Sequence, residues 1–478
     1  MKQRKLNIKK LSVLLVVCYL FLAVAFYYLA GYQLHFRQSR GTLEMPVAEA
    51  GTVELVQGAV VEQTFSAKIQ CLQSISIQWG TYYRANAGTV TVELYDLRDN
   101  SLLMHQTLDA STIGEGAITT MSVEEPIETV YLAPLLLRIS SDSQPGSAVS
   151  PLMSATAQTD GFGLYLNGSQ VQGTLCFSAD GEDYIWTGLH YWEFVAAFGV
   201  VIVLYLGFTY RKWKKGTPSM LINAIVAMQK YRFLIKQLVS RDFKAKYKRS
   251  ILGVFWSFLN PLLTMMVQYI VFSNLFRFDI PYYPVYLLSG IIVFNYFSEA
   301  CGMALTSIIG NATLITKVYV PKYIYPLTRI LSSLVNLLIS MIPLIIVTML
   351  SGLYPTKAYL LIPFMLVCLA MFCLGLGMLL SAAMVFFRDI QFLWGVLTMI
   401  WMYLTPIFYP ESILPEQVAW VLKVNPLYYF ISFLRSCVID GVSPEPVVYV
   451  QCFLISLCVL AAGAWVFKKS QDKFVLYL

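Results

Sequence analysis

Long apolar runs alternate with short polar segments along most of this chain. A run of about 20 apolar residues is long enough to cross a bilayer as a helix. Eight such runs occur, at 11–32, 192–210, 254–276, 285–308, 327–353, 358–387, 392–409 and 447–467. Residues 35–190 contain no run of this kind. The pattern predicts a polytopic α-helical membrane protein with about eight spans and one large polar insertion.

The polar insertion has the pattern of an all-β domain. Short segments rich in β-branched and aromatic residues indicate strands, and they lie at 74–79, 89–95, 129–132, 135–139 and 162–166. Gly, Asn and Asp between them supply turns. We expect an inserted β-sandwich of the jelly-roll type.

Composition and charge support this division. Hydrophobic residues make up 57% of the 478 and charged residues 13%, against about 25% charged in soluble domains. Residues 35–190 contain 6 Lys/Arg and 17 Asp/Glu, whereas the remainder contains 28 and 10. An acidic insertion between basic flanks indicates two compartments.

The basic flanks also predict orientation. Lys and Arg cluster at 2–10, 211–249, 317–322, 388 and 468–473, always on the same side of the eight spans. The positive-inside rule makes that side cytoplasmic. Both termini are then cytoplasmic and the insertion lies outside. The first run is interpreted as an uncleaved anchor, with a signal peptide as the alternative, because it has no A-x-A cleavage site.

The junction at 241–263, RDFKAKYKRSILGVFWSFLNPLL, joins a basic cluster directly to an apolar span. It resembles a signature of ABC-2 type permeases that export polysaccharides. The matching residues are Arg241, Asp242, Lys244, Tyr247, Ser250, Leu252, Gly253, Trp256, Pro261 and Leu262. Four further blocks match in order: NATLITKVYVPKYIYPL at 311–327, the start and end of 387–410, NPLYYFISFLR at 425–435 and the final FKKSQDKFVLYL.

The resemblance implies the transmembrane subunit of an ATP-driven exporter of lipid-linked O-antigen, teichoic acid or capsule-type glycan. Such a subunit lies in the bacterial plasma membrane, pairs with a second copy of itself and binds a cytoplasmic ATPase. No G-x-x-x-x-G-K-[ST] occurs, so ATP hydrolysis is expected on a separate chain. No HExxH, CxxC or Gly-x-Ser-x-Gly occurs either. We expect no catalytic residue, metal, cofactor or nucleic-acid partner.

The predicted organisation has five parts. They are a transmembrane anchor at 1–34, the extracytoplasmic β-sandwich at 35–190, a second transmembrane helix at 191–215, a cytoplasmic amphipathic interface and gate segment at 216–250, and a six-helix ABC-2 permease core at 251–478. A typical relative begins near residue 220, so the front half of this chain departs from the family.

Two groups of candidate site residues lie on the cytoplasmic side. A cationic face of Arg241, Lys244, Lys248 and Arg249 suits the pyrophosphate of a lipid-linked glycan, with simple anchoring to acidic lipids as the alternative. Asn311 is in position to cap a short helix that Pro321 ends. The resemblance implies that this helix couples to the ATPase through Asn311, Leu314, Lys317, Val318 and Pro321, with an ordinary loop as the alternative.

Aromatic side chains form the remaining candidates. Rings that could line a channel for a sliding sugar chain are Tyr269, Phe272, Tyr286, Tyr296 and Tyr403; lipid contact explains them equally well. In the insertion, Trp79, Tyr82, Tyr83 and Tyr95 either stack on sugar rings or fill the core. Cys71 and Cys176 form a disulfide or, the reading we favour, stay as two buried thiols.

Alternative functions remain open. A membrane glycan-modifying enzyme would need clustered carboxylates near a membrane face, and none stands out in the sequence. An ABC-2 permease for a small molecule or drug shares the same core. A sensor is disfavoured because the chain has eight spans and no cytoplasmic signalling domain.

Overall fold

The computed structural model describes residues 8–39, 43–66, 68–128, 133–155, 163–215, 220–248, 251–273, 280–317, 320–411 and 416–477. The chain divides into two compact units. The helical unit comprises Met1–Leu34 with His190–Leu478, and the β unit comprises His35–Leu189.

The helices follow the apolar runs of the sequence. In chain order they are α1 Ile8–Ala30, α2 Trp186–Leu189, α3 Tyr191–Lys214, α4 Met220–Tyr247, α5 Phe255–Val271, α6 Tyr283–Leu305, α7 Ala312–Lys317, α8 Ile324–Leu350, α9 Ile362–Phe386, α10 Ile390–Leu404, α11 Glu416–Val424, α12 Pro426–Arg435, α13 Pro446–Ser470 and α14 Phe474–Tyr477.

All eight predicted spans are helical, but they are not equal in length. Six of the described helices are long and apolar enough to cross a membrane: α1, α3, α6, α8, α9 and α13. Helices α5 and α10 have 17 and 15 residues, below the roughly 20 residues that a 30 Å hydrocarbon layer requires. The polytopic helical class is confirmed, with two of the apolar helices shorter than a full span.

Helices α1 and α3, which precede and follow the β unit in the sequence, form an antiparallel pair. The Tyr19 hydroxyl donates to the carbonyl of Val195 at 2.8 Å, and the Tyr191 hydroxyl donates to the carbonyl of Ala23 at 2.7 Å. Only 6% of each helix's apolar window is buried, against 72% for α6. Helix α6 is therefore central in the bundle, whereas α1 and α3 are peripheral.

Helices α9 and α13 approach each other backbone to backbone. A Cβ added at Gly463 would stand 2.0 Å from the carbonyl oxygen of Gly375. A Cβ added at Gly375 would stand 2.5 Å from the backbone nitrogen of Leu460. Small residues permit such close packing, which stabilises helix pairs in membranes through dispersion contacts.

The β unit consists of strands joined by short turns. They are β1 Phe36–Gln38, β2 Ala50–Gly51, β3 Val60–Ser66, β4 Cys71–Gly80, β5 Thr89–Asp96, β6 Ser101–Asp109, β7 Ile118–Glu128, β8 Pro134–Ser141, β9 Ser150–Ser154, β10 Leu164–Leu166, β11 Ser169–Val171, β12 Thr174–Leu175 and β13 Phe177–Tyr184.

These strands form two antiparallel sheets. One has the order β1-β13-β4-β9-β12, with β2 beside β9 and β7 beside β4; the other has the order β11-β10-β3-β8-β5-β6. Burial alternates along β3, β5 and β8, as expected when one face of a strand meets a core. Phe65 of one sheet packs edge-on against Phe177 of the other, with ring centroids 5.0 Å apart. The predicted β-sandwich is confirmed.

The individual strand predictions have mixed outcomes. Segments 74–79, 89–95 and 135–139 lie within β4, β5 and β8. Segment 129–132 lies outside the described residues, and of 162–166 the structure describes β10 from Leu164. Strands β3, β6, β7, β9 and β13 were not predicted; in β3 the apolar alternation is interrupted by the fully buried Gln63.

The two cysteines of the β unit are free and buried. Cys71 lies opposite Glu182 at one end of β4, while the carbonyl of Cys176 accepts from the N–H of Gln78 near the other end. That spacing is about 20 Å along a strand, whereas a disulfide needs Cα atoms within about 7 Å. The preferred reading of two buried thiols is confirmed.

The ends of the β unit meet in the structure. Strand β1 pairs with β13, Phe36 opposite Tyr184, and the N–H of Ile185 donates to the carbonyl of His35 at 2.7 Å. A domain with its own apolar core and adjacent ends satisfies the usual requirements for independent folding.

We expect Gly463→Ala to destabilise the helical unit by about 1–3 kcal/mol, since the added methyl group collides with rigid backbone. Thermal unfolding of the purified protein in detergent measures the effect. Gly302→Ala on α6 is the matched control, because a Cβ there meets nothing within 4 Å. Equal melting of the two variants would contradict the backbone contact.

Candidate functional site

One end of the helical unit gathers basic residues around a small apolar core. Helices α6, α9 and α13 finish at this end and α8 begins there. The core includes Leu238, Ile308, Tyr325, Val385 and Phe467. The basic residues near these helix ends are Lys317, Lys322, Arg388, Lys468, Lys469 and Lys473. We call this the basic end.

Helix α4 packs one face on the apolar core of the basic end. Leu234 and Ile235 contact that core and Leu238 is 5% exposed. Arg232 and Lys236 are exposed. A helix divided into an apolar and a cationic face suits a position at a membrane surface.

A groove of about 560 Å³ separates α4 from α8. Its walls are mostly apolar, with Leu331 and Leu334 on the α8 side. Arg232 and Lys236 line it on the α4 side. Basic groups beside apolar helices bind lipid head groups, so the groove suits an amphiphile with a hydrocarbon tail and an anionic head.

Asp242 joins α4 to α8. Its side chain is 4% exposed, and Oδ1 accepts a hydrogen bond from the guanidinium group of Arg241 at 3.0 Å and forms an ion pair with Arg329 at 3.1 Å. A carboxylate removed from water needs such partners, because loss of either cation leaves a poorly compensated buried charge. The contact therefore holds α4 against the start of α8.

Arg241 also joins α4 to the loop before α7. Its Nη2 donates to Oδ1 of Asn311 at 3.3 Å, and Nδ2 of Asn311 donates to the carbonyl of Ser307 at 2.7 Å. The short helix predicted after Asn311 is present as α7. The expected cap is not formed, because the amide of Asn311, 5% exposed, is used for these two contacts instead.

A second polar network joins the C-terminal end of α4 to α6 and α8. Lys246 Nζ lies 2.9 Å from both carboxylate oxygens of Glu299, and Asn336 Nδ2 donates to Glu299 Oε1 at 2.7 Å. The Tyr247 hydroxyl donates to Oδ1 of Asn336 at 3.0 Å and also contacts the hydroxyl of Ser257 on α5.

This network explains why α5 is short. Asn336 lies roughly three turns, or about 18 Å, beyond the start of α8. The Ser257 carbonyl accepts from the Ser340 hydroxyl at 3.2 Å, about 24 Å beyond that start. Helix α5 therefore begins inside the bundle, far from the basic end. The C-terminal end of α4 lies between the basic end and the start of α5.

The predicted cytoplasmic residues divide into bound and exposed groups. Lys244, Lys248 and Lys317 are exposed, whereas Arg241 is bound to Asp242 and Asn311. Leu314 packs on the core of the basic end. The Pro321 carbonyl accepts from the N–H of Ile324 at the start of α8. Arg249 and Val318 lie outside the described residues.

The opposite end of the unit is built around Arg435. We call this the aromatic end, because the neighbours of Arg435 there are Tyr283, Tyr286, Phe408 and Tyr409. Arg435 is 9% exposed and donates to the carbonyls of Pro406, Tyr286 and Ile407 at 2.9–3.3 Å. Its guanidinium lies 3.3 Å from the centre of the Tyr286 ring. These contacts supply donors for backbone carbonyls where α10 ends, which lipid could not do.

The five candidate channel rings differ widely in exposure. Tyr403 and Tyr269 are 61% and 40% exposed. Phe272 stacks on Phe408 with centroids 5.4 Å apart, and the Tyr286 hydroxyl donates to the carbonyl of Tyr409 at 2.8 Å. Tyr296 is 3% exposed and belongs to the central core, so its ring contributes to packing within this chain.

Several residues of the two ends were not singled out as site candidates from the sequence. They are Lys246, Asn336 and Arg435, whereas their partner Glu299 is recognisable in the sequence as a charge within an apolar run. Each is a polar residue in or beside an apolar run, a pattern that marks functional positions in membranes, but their partners come from distant segments. Among the described residues, no three His, Cys, Asp or Glu side chains come together as a metal site.

Comparison with known proteins agrees with this arrangement. Residues 233–439 match the ABC-2 type transporter family. The O-antigen export system permease protein RfbA of Myxococcus xanthus is 28% identical over 256 residues, covering 53% of this chain and 98% of the relative. A protein of the same name from Klebsiella pneumoniae is 29% identical, covering 50% and 93%. The polysialic acid transport protein KpsM of Escherichia coli is 21% identical, covering 50% and 93%.

The family match covers the second half of α4, the polar contacts that join α4 to α7 and α8, and the aromatic end. It begins after the β unit. The relatives correspond to about half of this chain while being covered almost completely. Residues 233–439 of this protein therefore form an ABC-2 type transporter domain similar to the permeases of polysaccharide export systems, and a β-sandwich domain precedes it in the chain.

Proposed function

We propose that this protein is the transmembrane subunit of an ABC exporter that moves a lipid-linked polysaccharide from the cytoplasm to the outer side of the plasma membrane. The similarity to O-antigen export permeases over nearly their whole length, and to a capsule polysaccharide export protein over 78% of its length, carries the proposal. A cytoplasmic ATPase supplies the energy and a second copy of the chain completes the pathway.

The charge distribution supports an orientation. The basic end carries the Lys and Arg residues of the short loops, and such loops face the cytoplasm in bacterial membranes. The aromatic end then faces outward, as does the acidic β-sandwich. The exposed rings of Tyr269 and Tyr403 are the candidates to line the path of the glycan.

Helix α7 is the proposed docking element for the ATPase, and the polar links described above give it a route to α4. A displacement of α7 moves Asn311, which is bound to Arg241, and Arg241 shares the carboxylate of Asp242 with Arg329. Charge-assisted contacts are directional, so a movement of one partner is transmitted to the other. Helix α4 would thereby change its angle to α8 during the ATPase cycle.

The substrate head group is proposed to meet α4 at Lys244 and Lys248. Both are exposed, whereas Lys246 and Arg241 on the same segment are held by Glu299 and Asp242. Ammonium groups attract phosphate as mobile point charges. The apolar groove beside Arg232 and Lys236 offers space for part of the lipid carrier.

Depletion of the chain tests the function itself. We expect lipid-linked glycan to accumulate inside the cell and to disappear from the surface, with both effects reversed by the wild-type gene. Surface glycan is measured with a lectin and the internal pool by lipid extraction. Unchanged surface glycan, or altered efflux of a small molecule instead, would refute polysaccharide export.

The double variant Lys244→Gln with Lys248→Gln tests head-group recognition. We expect the substrate concentration for half-maximal export in proteoliposomes to rise about tenfold, as loss of about 1.4 kcal/mol implies, with basal ATPase activity unchanged. Lys→Arg at both positions should restore export because it retains the charge.

Lys230→Gln is the matched control, since Lys230 is also exposed on α4. If all three lysines only anchor α4 to acidic lipids, the control will reduce export per removed charge as much as the double variant does. That result would remove Lys244 and Lys248 from the substrate site.

Arg241→Gln and Asn311→Ala test the route from α7 to α4. Asn311→Ala should lower the glycan exported per ATP hydrolysed by about tenfold, because a hydrogen bond to a charged group contributes about 1.5 kcal/mol. Arg241→Gln should lower it at least as much, because it also removes the ion pair with Asp242. The double variant should be no worse than the poorer single variant, since both remove one shared contact. Additive losses in this cycle would show that the two residues act independently.

A further inference from the structure

A turn at the edge of the β-sandwich displays two consecutive tyrosines in an unfavourable backbone conformation. Tyr82 and Tyr83 have φ of 56° and 54°, and the N–H of Arg84 donates to the carbonyl of Thr81 at 3.3 Å. Left-handed φ at both central residues is the pattern of a type I′ turn, for which Asn-Gly is usual. Bulky residues are rare in this region because Cβ crowds the backbone.

The turn is held in place by a carboxylate below it. Glu115 Oε2 accepts from the N–H of Thr81 at 2.6 Å, from the Thr81 hydroxyl at 2.7 Å and from the N–H of Tyr83 at 3.3 Å. These bonds, led by the Thr81 hydroxyl, lower the pKa of Glu115. The carboxylate is therefore ionised at neutral pH and keeps the turn closed.

Arg84 fixes the first ring by lying over one of its faces, which leaves the other face for a ligand. Its guanidinium lies 4.9 Å from the centre of the Tyr82 ring, and it forms an ion pair with Glu54 and a bond to the carbonyl of Ala148 at 3.2 Å. Tyr82 remains 48% exposed and Tyr83 90% exposed. The supports therefore orient the pair without burying it.

The other aromatic candidates of this domain are used differently. Trp79 is completely buried in the core. Tyr95 lies beneath Arg138, 5.3 Å from its ring centre, and donates to Glu93 at 3.0 Å. The core-filling reading therefore applies to Trp79, whereas Tyr82 and Tyr83 add nothing to the core that would offset their strained backbone. Strain of this kind is typically kept at functional sites.

We propose that Tyr82 and Tyr83 form a binding platform for a neutral, pyranose-containing glycan. A tyrosine ring is apolar on its face and carries a polar hydroxyl at its rim, which matches the C–H face and hydroxyl rim of a pyranose. Tyrosine also offers a large contact area with little rotamer entropy to lose. The pair is the most exposed part of the turn, so a chain-like ligand can reach both rings.

Charge selects a neutral ligand. Residues 35–190 contain 17 acidic and 6 basic residues, so the surrounding potential repels anionic glycans and anionic membranes. Arg84 does not reverse this, because Glu54 pairs with it. The choice of a glycan over another neutral polyol rests on the proposed export function. The binding surface at Tyr82 and Tyr83 does not rest on that function.

The test combines binding with stability. Full-length protein in nanodiscs is applied to an array of lipid-free neutral and acidic oligosaccharides, and dissociation constants are measured for those that bind. The key variant is Tyr82→Asn with Tyr83→Gly, which suits the turn better than the native pair. We expect at least a tenfold loss of affinity for neutral oligosaccharides, together with a rise of about 2–4 °C in the melting temperature of the excised 35–189 domain.

Two further variants complete the design. Glu115→Gln should weaken binding several-fold with both rings present, because an amide oxygen holds the turn less firmly than a carboxylate. Leu102→Ala removes an exposed apolar side chain from β6 in the other sheet, 51% exposed, and should leave binding unchanged.

The proposal is overturned if the wild type binds no neutral oligosaccharide, if it prefers acidic ones or plain phosphatidylglycerol vesicles, or if the Asn-Gly variant binds normally or melts lower. Glycan binding that persists in a chain without export activity would leave the platform standing while removing the proposed function. Export by a protein that binds no glycan would contradict the binding platform and leave the proposed export function in place.

Discussion

Lipid offers no hydrogen-bond partners, and this constraint shapes the whole helical unit. A polar group that enters the bundle is stabilised when it finds a partner inside the protein. Asp242 does so between two arginines, Glu299 does so with Lys246 and Asn336, and Arg435 does so with three backbone carbonyls. These three clusters are also the places where helices from distant parts of the sequence are joined.

The same constraint connects structure to transport. A bundle held only by apolar contacts would let its helices slide, because lipid tails solvate them almost as well as other helices do. The polar junctions at the basic end instead give α4, α7 and α8 defined relative positions. An arrangement with discrete partners can switch between states, whereas a uniform apolar contact deforms gradually. Placing such junctions beside α7 makes mechanical coupling to a second protein feasible.

The β-sandwich follows the opposite rule, because water satisfies its surface. It can therefore leave large side chains such as Tyr83 uncovered, and its core can accept the cost of a strained turn. In the helical unit an exposed aromatic residue is ordinary, since it contacts lipid. In the sandwich, the combination of exposed rings with a strained turn is the observation behind the proposed glycan platform.

Prediction from sequence succeeded where periodicity and composition decide the outcome. The apolar runs, the β character of residues 35–190 and the helix after Asn311 follow from local patterns, as does the exposure of Lys244. The polar pairings did not follow, because Arg241 and Asn311, or Lys246 and Glu299, are far apart in the chain. Arg241 illustrates the limit: in the sequence it is one of several cations near a span, while in the fold its guanidinium is occupied.

The sequence alone therefore determined the class of protein, the number of apolar segments, the inserted sandwich and the resemblance to ABC-2 permeases, because hydrophobic period, charge and motif spacing are local properties. Tertiary structure alone decided which cations form ion pairs, why α5 can be short and which tyrosines are displayed. Those outcomes depend on which distant groups share a buried contact, and packing rather than local pattern sets that choice.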